Sequence, residues 1–397
     1  MLVDDRAGTH SRRGESTLKI LQIAQKPQRR GAEVFAVQLG EWLERAGHDV
    51  RHAYLYRYRG SRRLALDDDD IGLEREQDTL LERLPCGNPL LLADLRRLVR
   101  GWRPDVVQAN GGRSVKYAAL LTYLSPGRSW KLVYRNIDSP VFWVRGPARK
   151  HYMRRWIMPR VDGVVGVSRQ TLDEVFDFYR LDALGVLIPN GIDLTPLRRP
   201  RDRAEVRAEL GAAPDQVVVL FFGALTAQKR PDRFVRLIAG LREEGLDVVG
   251  WLLGDGEARE EVAARAEALG VAPALRFLGY REVVKDVVAA ADVFASTSDS
   301  EGIPAAVLEA GYLGVPVVGY DVGGMRECVR DGLTGYLAPA GDEGEHLRRV
   351  ARLAQDPAER ERLGRAARDF VEADFSMESV GRRYEAFYET VRCTSST

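Results

Sequence analysis

The chain has 397 residues, 45% of them hydrophobic and 29% charged, with a formal net charge of +1. That length suits two or three domains, and the charge balance argues against a polycationic nucleic-acid binder. Five His and three Cys (Cys86, Cys328 and Cys393) show no CxxC, HxxxH or HExxH spacing, so neither a zinc site nor a disulfide framework is expected.

Residues 1–16 have no apolar core of signal-peptide length and read as a disordered tail. No window approaches the roughly 18 to 20 apolar residues that span a bilayer, so a cytoplasmic location is expected. Leu18 to Ala24 is the first expected strand. A helix with Val34, Phe35, Val37, Leu39, Trp42 and Leu43 along one stripe follows a tight turn at Gly31 and stops near Gly47. His48 to Tyr56 is the next strand. Asp67 to Asp70 contains a D-x-D, the pattern of some Mn²⁺-dependent transferases, but reads here as a solvated charge block. Leu90 to Arg100 is a helix. Three short strands follow: Asp105 to Ala109, Leu132 to Arg135 and Gly163 to Val167. The loops after the first two begin with Asn110 and with Asn136-Ile137-Asp138.

Arg145 to Met158 places Arg, Lys and aromatic residues at helical spacing. Such a stretch suits a solvated helix face, a path for an anionic acceptor, or peripheral contact with the inner face of a membrane. The pattern restarts after a basic linker, Arg198 to Arg203. Val217 to Phe222 and Val248 to Leu253 are buried strands carrying the loops GALTAQK and GDGEAREE. The first loop fails the P-loop pattern, because Gln228 stands where glycine is needed and Arg230 where Ser or Thr is needed. The second fails the dinucleotide pattern at Arg259.

The densest stretch runs from Asp292 to Pro339. A strand at Val293 to Ala295 leads through a polar loop to Glu301-Gly302-Ile303-Pro304 and then to helix formers. Proline suits the first helical position, and the free amides of Ala305 and Ala306 would suit a phosphate. Gly314 ends this helix, a strand follows at Val317 to Gly319, and Gly323-Gly324 makes a turn. The unit is a parallel β-α-β, whose ligands bind beyond the carboxyl ends of the strands.

Glu301 and Glu309 enclose seven residues in this setting. With Gly302, Pro304, Gly323-Gly324, Glu327, the segment DGLTGYL and the earlier Pro189-Asn190-Gly191-Ile192-Asp193, they resemble the retaining glycosyltransferases of family 4, the group 1 type. The resemblance implies a GT-B fold, two Rossmann-like α/β/α domains facing across a cleft. Residues 17–195 would form an N-terminal acceptor domain, joined by a C-terminal helix at 376–392. Residues 196–375 would form the donor domain. It also implies a hexosyltransferase-type enzyme, using a nucleoside-diphosphate sugar and a hydroxyl acceptor (saccharide, glycolipid or natural product), with no required metal or cofactor. Lys229 would meet the donor diphosphate and Glu301 the transferred sugar, as catalytic residues; Glu309 would meet the ribose. Gly31, Gly223, Arg230, Arg281, Gly302, Ile303, Pro304 and Ala305 would complete the donor site, with Arg281 in the segment beside the nucleobase. Asn110, Asn136 and Asp138 stand where many relatives carry a sugar-contacting histidine, and Ala224 stands where they carry an arginine. A GT-B nucleotide-sugar epimerase and a non-catalytic sugar-nucleotide binding protein would share this frame.

Overall fold

A computed structural model describes residues 17–28, 31–60, 63–64, 70–77, 81, 84, 86–144 and 146–394. The expected tail, Arg30, Asp67 to Asp69 and Arg145 therefore lie outside the described residues. Two compact units emerge. One runs up to Gly191 and resumes at Met377; the other is Ile192–Ser376. The sequence placed these junctions at 195/196 and 375/376.

Among the described residues, the first unit has seven strands: β1 Lys19–Ala24, β2 Asp49–Tyr56, β3 Ile71–Arg75, β4 Val106–Asn110, β5 Lys131–Asn136, β6 Gly163–Gly166 and β7 Leu184–Leu187. They pair in parallel in the order β3-β2-β1-β4-β5-β6-β7. One sheet face packs with the Leu91–Trp102 side of the helix Pro89–Trp102 and with Val115, Tyr117 and Ala118 of the helix Gly112–Tyr123. The other face is covered by the helices Gly31–Arg45 and Met377–Cys393, whose Phe35, Leu39, Val380, Tyr384 and Tyr388 join Leu18 and Ile20.

The second unit holds β8 Val217–Phe222, β9 Val248–Leu253, β10 Leu275–Gly279, β11 Val293–Ser296, β12 Val317–Tyr320 and β13 Gly335–Ala338. Their order is β10-β9-β8-β11-β12-β13, again parallel throughout. Sheets covered by helices on both faces need strands that are apolar on both sides. VVVLFF in β8 and VVGWLL in β9 are such runs. In both units the strand order reverses direction once, between β1 and β4 and between β8 and β11, which marks the switch points where ligands settle. No helix among the described residues is long and apolar enough to cross a membrane.

Candidate active site

The richest chemistry in the second unit lies at the carboxyl ends of β8 and β11. Beyond Phe222 the chain turns at Gly223, with φ 156. Gly254, at the end of β9, comes so close that an added Cβ would lie 1.9 Å from the Gly223 carbonyl oxygen. Arg230 closes the loop in the left-handed region (φ 50), and Pro231 opens the helix Pro231–Glu243. Three hydrogen bonds fasten this loop to the one after β11. The Thr297 hydroxyl donates to the Lys229 carbonyl (2.9 Å), Asp299 N–H to the Gln228 carbonyl (3.0 Å) and the Gln228 amide to the Ser300 carbonyl (2.9 Å).

That arrangement delivers Lys229 to Glu301, 72 positions away, with Nζ 2.5 Å from Oε1. The Ser298 hydroxyl donates to the same oxygen at 2.6 Å. Glu301 is 8% exposed and Lys229 26%, so this is a short charge-assisted bond in a partly dehydrated place. Behind it, the Gly323-Gly324 turn supports the Glu301 backbone: Gly324 N–H donates to the Glu301 carbonyl at 3.0 Å. Gly323 has φ 53, and an added Cβ would sit 1.9 Å from that carbonyl; one on Gly324 would sit 2.1 Å from the Gly302 oxygen. The glycine pair thus shapes the site through backbone contact. A small pocket opens between Lys229, Glu301, Phe222, Phe294, Ser296 and Val307.

The helix beside the pocket is Ala305–Tyr312, with Pro304 as its N-cap and not its first residue. The reason is conformational: ψ of Pro304 is 114°, extended, so its carbonyl starts the helix while its own torsions stay outside. Val307 and Leu308 N–H reach that carbonyl. The amides of Ala305 and Ala306 precede any intrahelical acceptor and remain available, at the positive end of the helix dipole. Gly302 is exposed; Ile303 packs against the core.

Arg230 and Arg233 both engage acids. Arg230 bonds Asp232 (2.9 Å) and Asp299 (3.1 Å), and Arg233 bonds Asp299 (2.5 Å). Burial would raise the Asp232 carboxyl, but hydrogen bonds from Arg230 and Arg236 override it and hold that group at about 2. Neither arginine therefore stands as a free cation in place of the one absent at Ala224. Glu309 is the opposite case. It lies half-buried in the helix, its carboxylate makes no hydrogen bond or ion pair among the described residues, and burial pushes that carboxyl up to about 7. Arg281 follows Tyr280, which is 79% exposed, after the end of β10. The Gly279 carbonyl there accepts from Gly254 N–H at 2.9 Å, joining this rim to the β9 loop.

In the first unit the outcome differs from the sequence reading. Gly31 heads its helix in place of a tight turn, and an added Cβ there would meet nothing within 4 Å. Asn110 and Asn136 are the last residues of β4 and β5, not loop residues, and both are buried. Asn136 accepts from Tyr134 OH and donates to the Thr171 carbonyl, both at 2.8 Å, which uses both ends of its amide inside the fold. Asn110 joins a buried polar layer with Gln22 (2.9 Å), Gln108 (3.2 Å) and Arg135 (3.3 Å). Asp138 is exposed in the loop after β5. Asp70, from the acidic run, pairs through its carboxylate with His52 Nδ1 at 2.9 Å and so has a structural partner.

Sequence reasoning missed this polar layer. Its centre is Arg135, 0% exposed, which reaches the Ala32 carbonyl (3.3 Å) and Asn190 (2.5 Å) and lies 4.2 Å from the Phe35 ring centroid. Burial lowers its guanidinium from the ordinary arginine value. The available signal was a polar residue interrupting each apolar strand: Gln22 in KILQIA, Gln108 in VVQAN and Arg135 in KLVYRN.

Comparison with known proteins now bears on this geometry. The family described as "Glycosyl transferases group 1" matches residues 202–370, and "Glycosyltransferase Family 4" matches residues 29–196. The chain belongs to glycosyltransferase family 4. Among relatives of this family, D-inositol 3-phosphate glycosyltransferase of Actinosynnema mirum is 35% identical over 219 residues, 52% of each chain. The Nocardia farcinica protein of the same description is 32% identical over 228 residues, 55% of this chain and 50% of that one. The chain thus spans about half the length of the curated relatives it matches. Two solved structures show the GT-B fold of the family. Anabaena HepE in complex with UDP has a TM-score of 0.77 at 19% identity, covering 94% of this chain and all of that one. Sucrose-phosphate synthase from Thermosynechococcus elongatus has a TM-score of 0.73 at 20% identity, covering 95% of this chain and all of that one.

Proposed function

We propose that the protein transfers a sugar from a nucleoside-diphosphate donor to a hydroxyl acceptor, with retention of anomeric configuration. The observation that carries this reading is the Lys229–Glu301 pair at the β8/β11 switch point, next to the open amides of Ala305 and Ala306. As the bond between sugar and diphosphate breaks, negative charge grows on the leaving phosphate. A fixed ammonium and oriented amides stabilise that charge more in the transition state than before it. Glu301, released from Lys229 by the incoming phosphate, accepts hydrogen bonds from hydroxyls of the sugar, and Glu309 accepts from the ribose. That the structurally similar HepE was solved in complex with UDP supports a nucleotide ligand for this chain. The inositol-phosphate relatives support a hydroxyl acceptor.

The reading assigns no step to a metal ion. A thermal-shift screen against UDP, GDP, ADP and dTDP, each with EDTA or Mg²⁺, tests it, since a ligand of the native state raises apparent stability by mass action. The expected result is a shift with one diphosphate that EDTA leaves intact, followed by donor-dependent glycosylation in an acceptor screen. Donor turnover that needs no acceptor and yields an epimer would overturn the transferase reading.

A further inference from the structure

The basic linker borders a cavity of about 350 Å³ that the donor site does not use. It is lined by residues 197–200 and by Tyr312, Arg368 and Glu372, all in the second unit. Tyr312 is the last residue of the helix whose first two, Ala305 and Ala306, carry the open amides. Eight residues at a rise of 1.5 Å put the two ends of that helix about 12 Å apart, so the cavity is a separate place. The linker is held firmly beside it. Leu197 is buried in the core, Lys285 Nζ donates to the Arg198 carbonyl, and Arg201 N–H donates to the Asp286 carboxylate, both at 2.9 Å. Between these ties Arg199 sits at φ 53, although it is not glycine and precedes Pro200, where a φ of about −120° is favoured. Such outliers persist where their surroundings over-determine them, and they concentrate at ligand clamps.

The cations around the cavity have no counter-charge. Among the described residues Arg198, Arg199 and Arg368 pair with no carboxylate, whereas Arg201, Arg203 and Arg207 of the same stretch hold Glu209 or Asp292. Arg368 is aimed by its own Nε–H, which donates to the Tyr312 carbonyl at 2.7 Å and leaves its terminal nitrogens for a ligand. Glu372 is the one carboxylate in the lining, against three guanidiniums.

We propose that this cavity binds a small phosphate monoester. Guanidinium forks match phosphate oxygens in both geometry and charge. The volume lies in the range of small-molecule sites and leaves room beyond a bare phosphate. Leu197, Pro200 and Tyr312 offer the rest of the ligand an apolar wall. The proposal does not depend on the donor site.

The test is calorimetry of the full chain with phenyl phosphate and glucose 6-phosphate, set against phenol, glucose and inorganic phosphate. At least one monoester should bind, more tightly than inorganic phosphate, and the uncharged compounds should not. Arg199→Gly removes one guanidinium and relieves the backbone, since glycine accepts φ 53 without strain. It should weaken monoester binding about tenfold or more while Tm stays level or rises; an arginine with only a structural role would lower Tm. Arg368→Gln should weaken binding comparably, and Lys229→Ala, at the donor site, should leave it unchanged. Failure of both monoesters to bind at millimolar concentration would overturn the proposal. So would inorganic phosphate binding as tightly as they do, full affinity in both arginine variants, or loss of binding in Lys229→Ala alone.

Discussion

Glu309 offers the sharpest test of the donor site, because its protonation and its proposed task are linked. Burial raises its carboxyl to about 7 in the free protein. Ribose hydroxyls that donate to it would bind the ionised form and leave the neutral form a poorer partner. With that value, about a tenth of the free protein has Glu309 ionised at pH 6 and about nine-tenths at pH 8. Affinity for the preferred nucleoside diphosphate should therefore rise about tenfold over that range from this group alone. Glu309→Gln keeps the size of the side chain and removes the titration. Hydrogen bonds to a charged acceptor contribute about 1.5–3 kcal/mol each, so at pH 8 the variant should bind about ten- to a hundredfold more weakly. At pH 6 the gap between the two proteins should be about five- to tenfold narrower. Calorimetry on both, with the same diphosphate, measures the ratio of their Kd values, in which the ligand's own phosphate titration cancels. A ratio that is the same at pH 6 and pH 8 would refute the ribose assignment.

Three further outcomes can be measured independently. Lys229→Ala should lower kcat/KM by at least ~10²-fold through loss of the cation at the leaving phosphate. It should also lower Tm, because Glu301 would keep only the Ser298 hydroxyl as a donor; wild-type turnover would remove Lys229 from the chemistry. Gly323→Ala forces a Cβ to 1.9 Å from the Glu301 carbonyl at φ 53. Its diphosphate-induced thermal shift should vanish even if far-UV circular dichroism is unchanged, and a retained shift would show that the turn yields without moving Glu301. His346, 2% exposed, is held neutral by burial, with its value lowered to about 4. The unfolded chain then binds more protons than the native one between about pH 6.5 and 4, so stability from this group is full above that window and declines as pH falls through it. Urea melts of the wild type and of His346→Gln should diverge in slope against pH there; parallel slopes would refute the assignment.

Much of the architecture could be read from the chain because parallel strands covered on both faces are nearly continuous apolar runs. β8 and β9 fall where VVVLFF and VVGWLL place them, and the helix ending before Gly314 stops as expected. The edge strands β3 and β13 lack such a run: IGLER is mostly polar, and GYLA reads as part of a motif. At the site, residue types and spacing identify Glu301, Glu309 and Lys229, but the contact between Lys229 and Glu301 depends on two loops brought side by side by β8 and β11. Asn110 and Asn136 illustrate the harder limit. A strand's last residue differs from a loop's first only through its partners, and the amide of Asn110 finds Gln22 at a separation of 88 positions.

The helix Met377–Cys393 has a consequence for how the molecule is made. Its Val380, Tyr384, Phe387 and Tyr388 share one core with Leu18, Ile20 and Phe35, and the Trp42 indole donates to Glu378 at 2.7 Å. An added Cβ on Gly381 would lie 2.2 Å from the Trp42 ring, so the two helices meet without room for a larger residue. During synthesis, the first-made sheet therefore waits with the part of one face that Gly31–Arg45 does not cover left open until the whole of Ile192–Ser376 has been translated. The second unit, contiguous in the chain, can close its own core in the meantime. The half of the protein that is begun first is finished last. A nascent chain arrested before Met377 would expose apolar surface on its older half while its younger half is already folded.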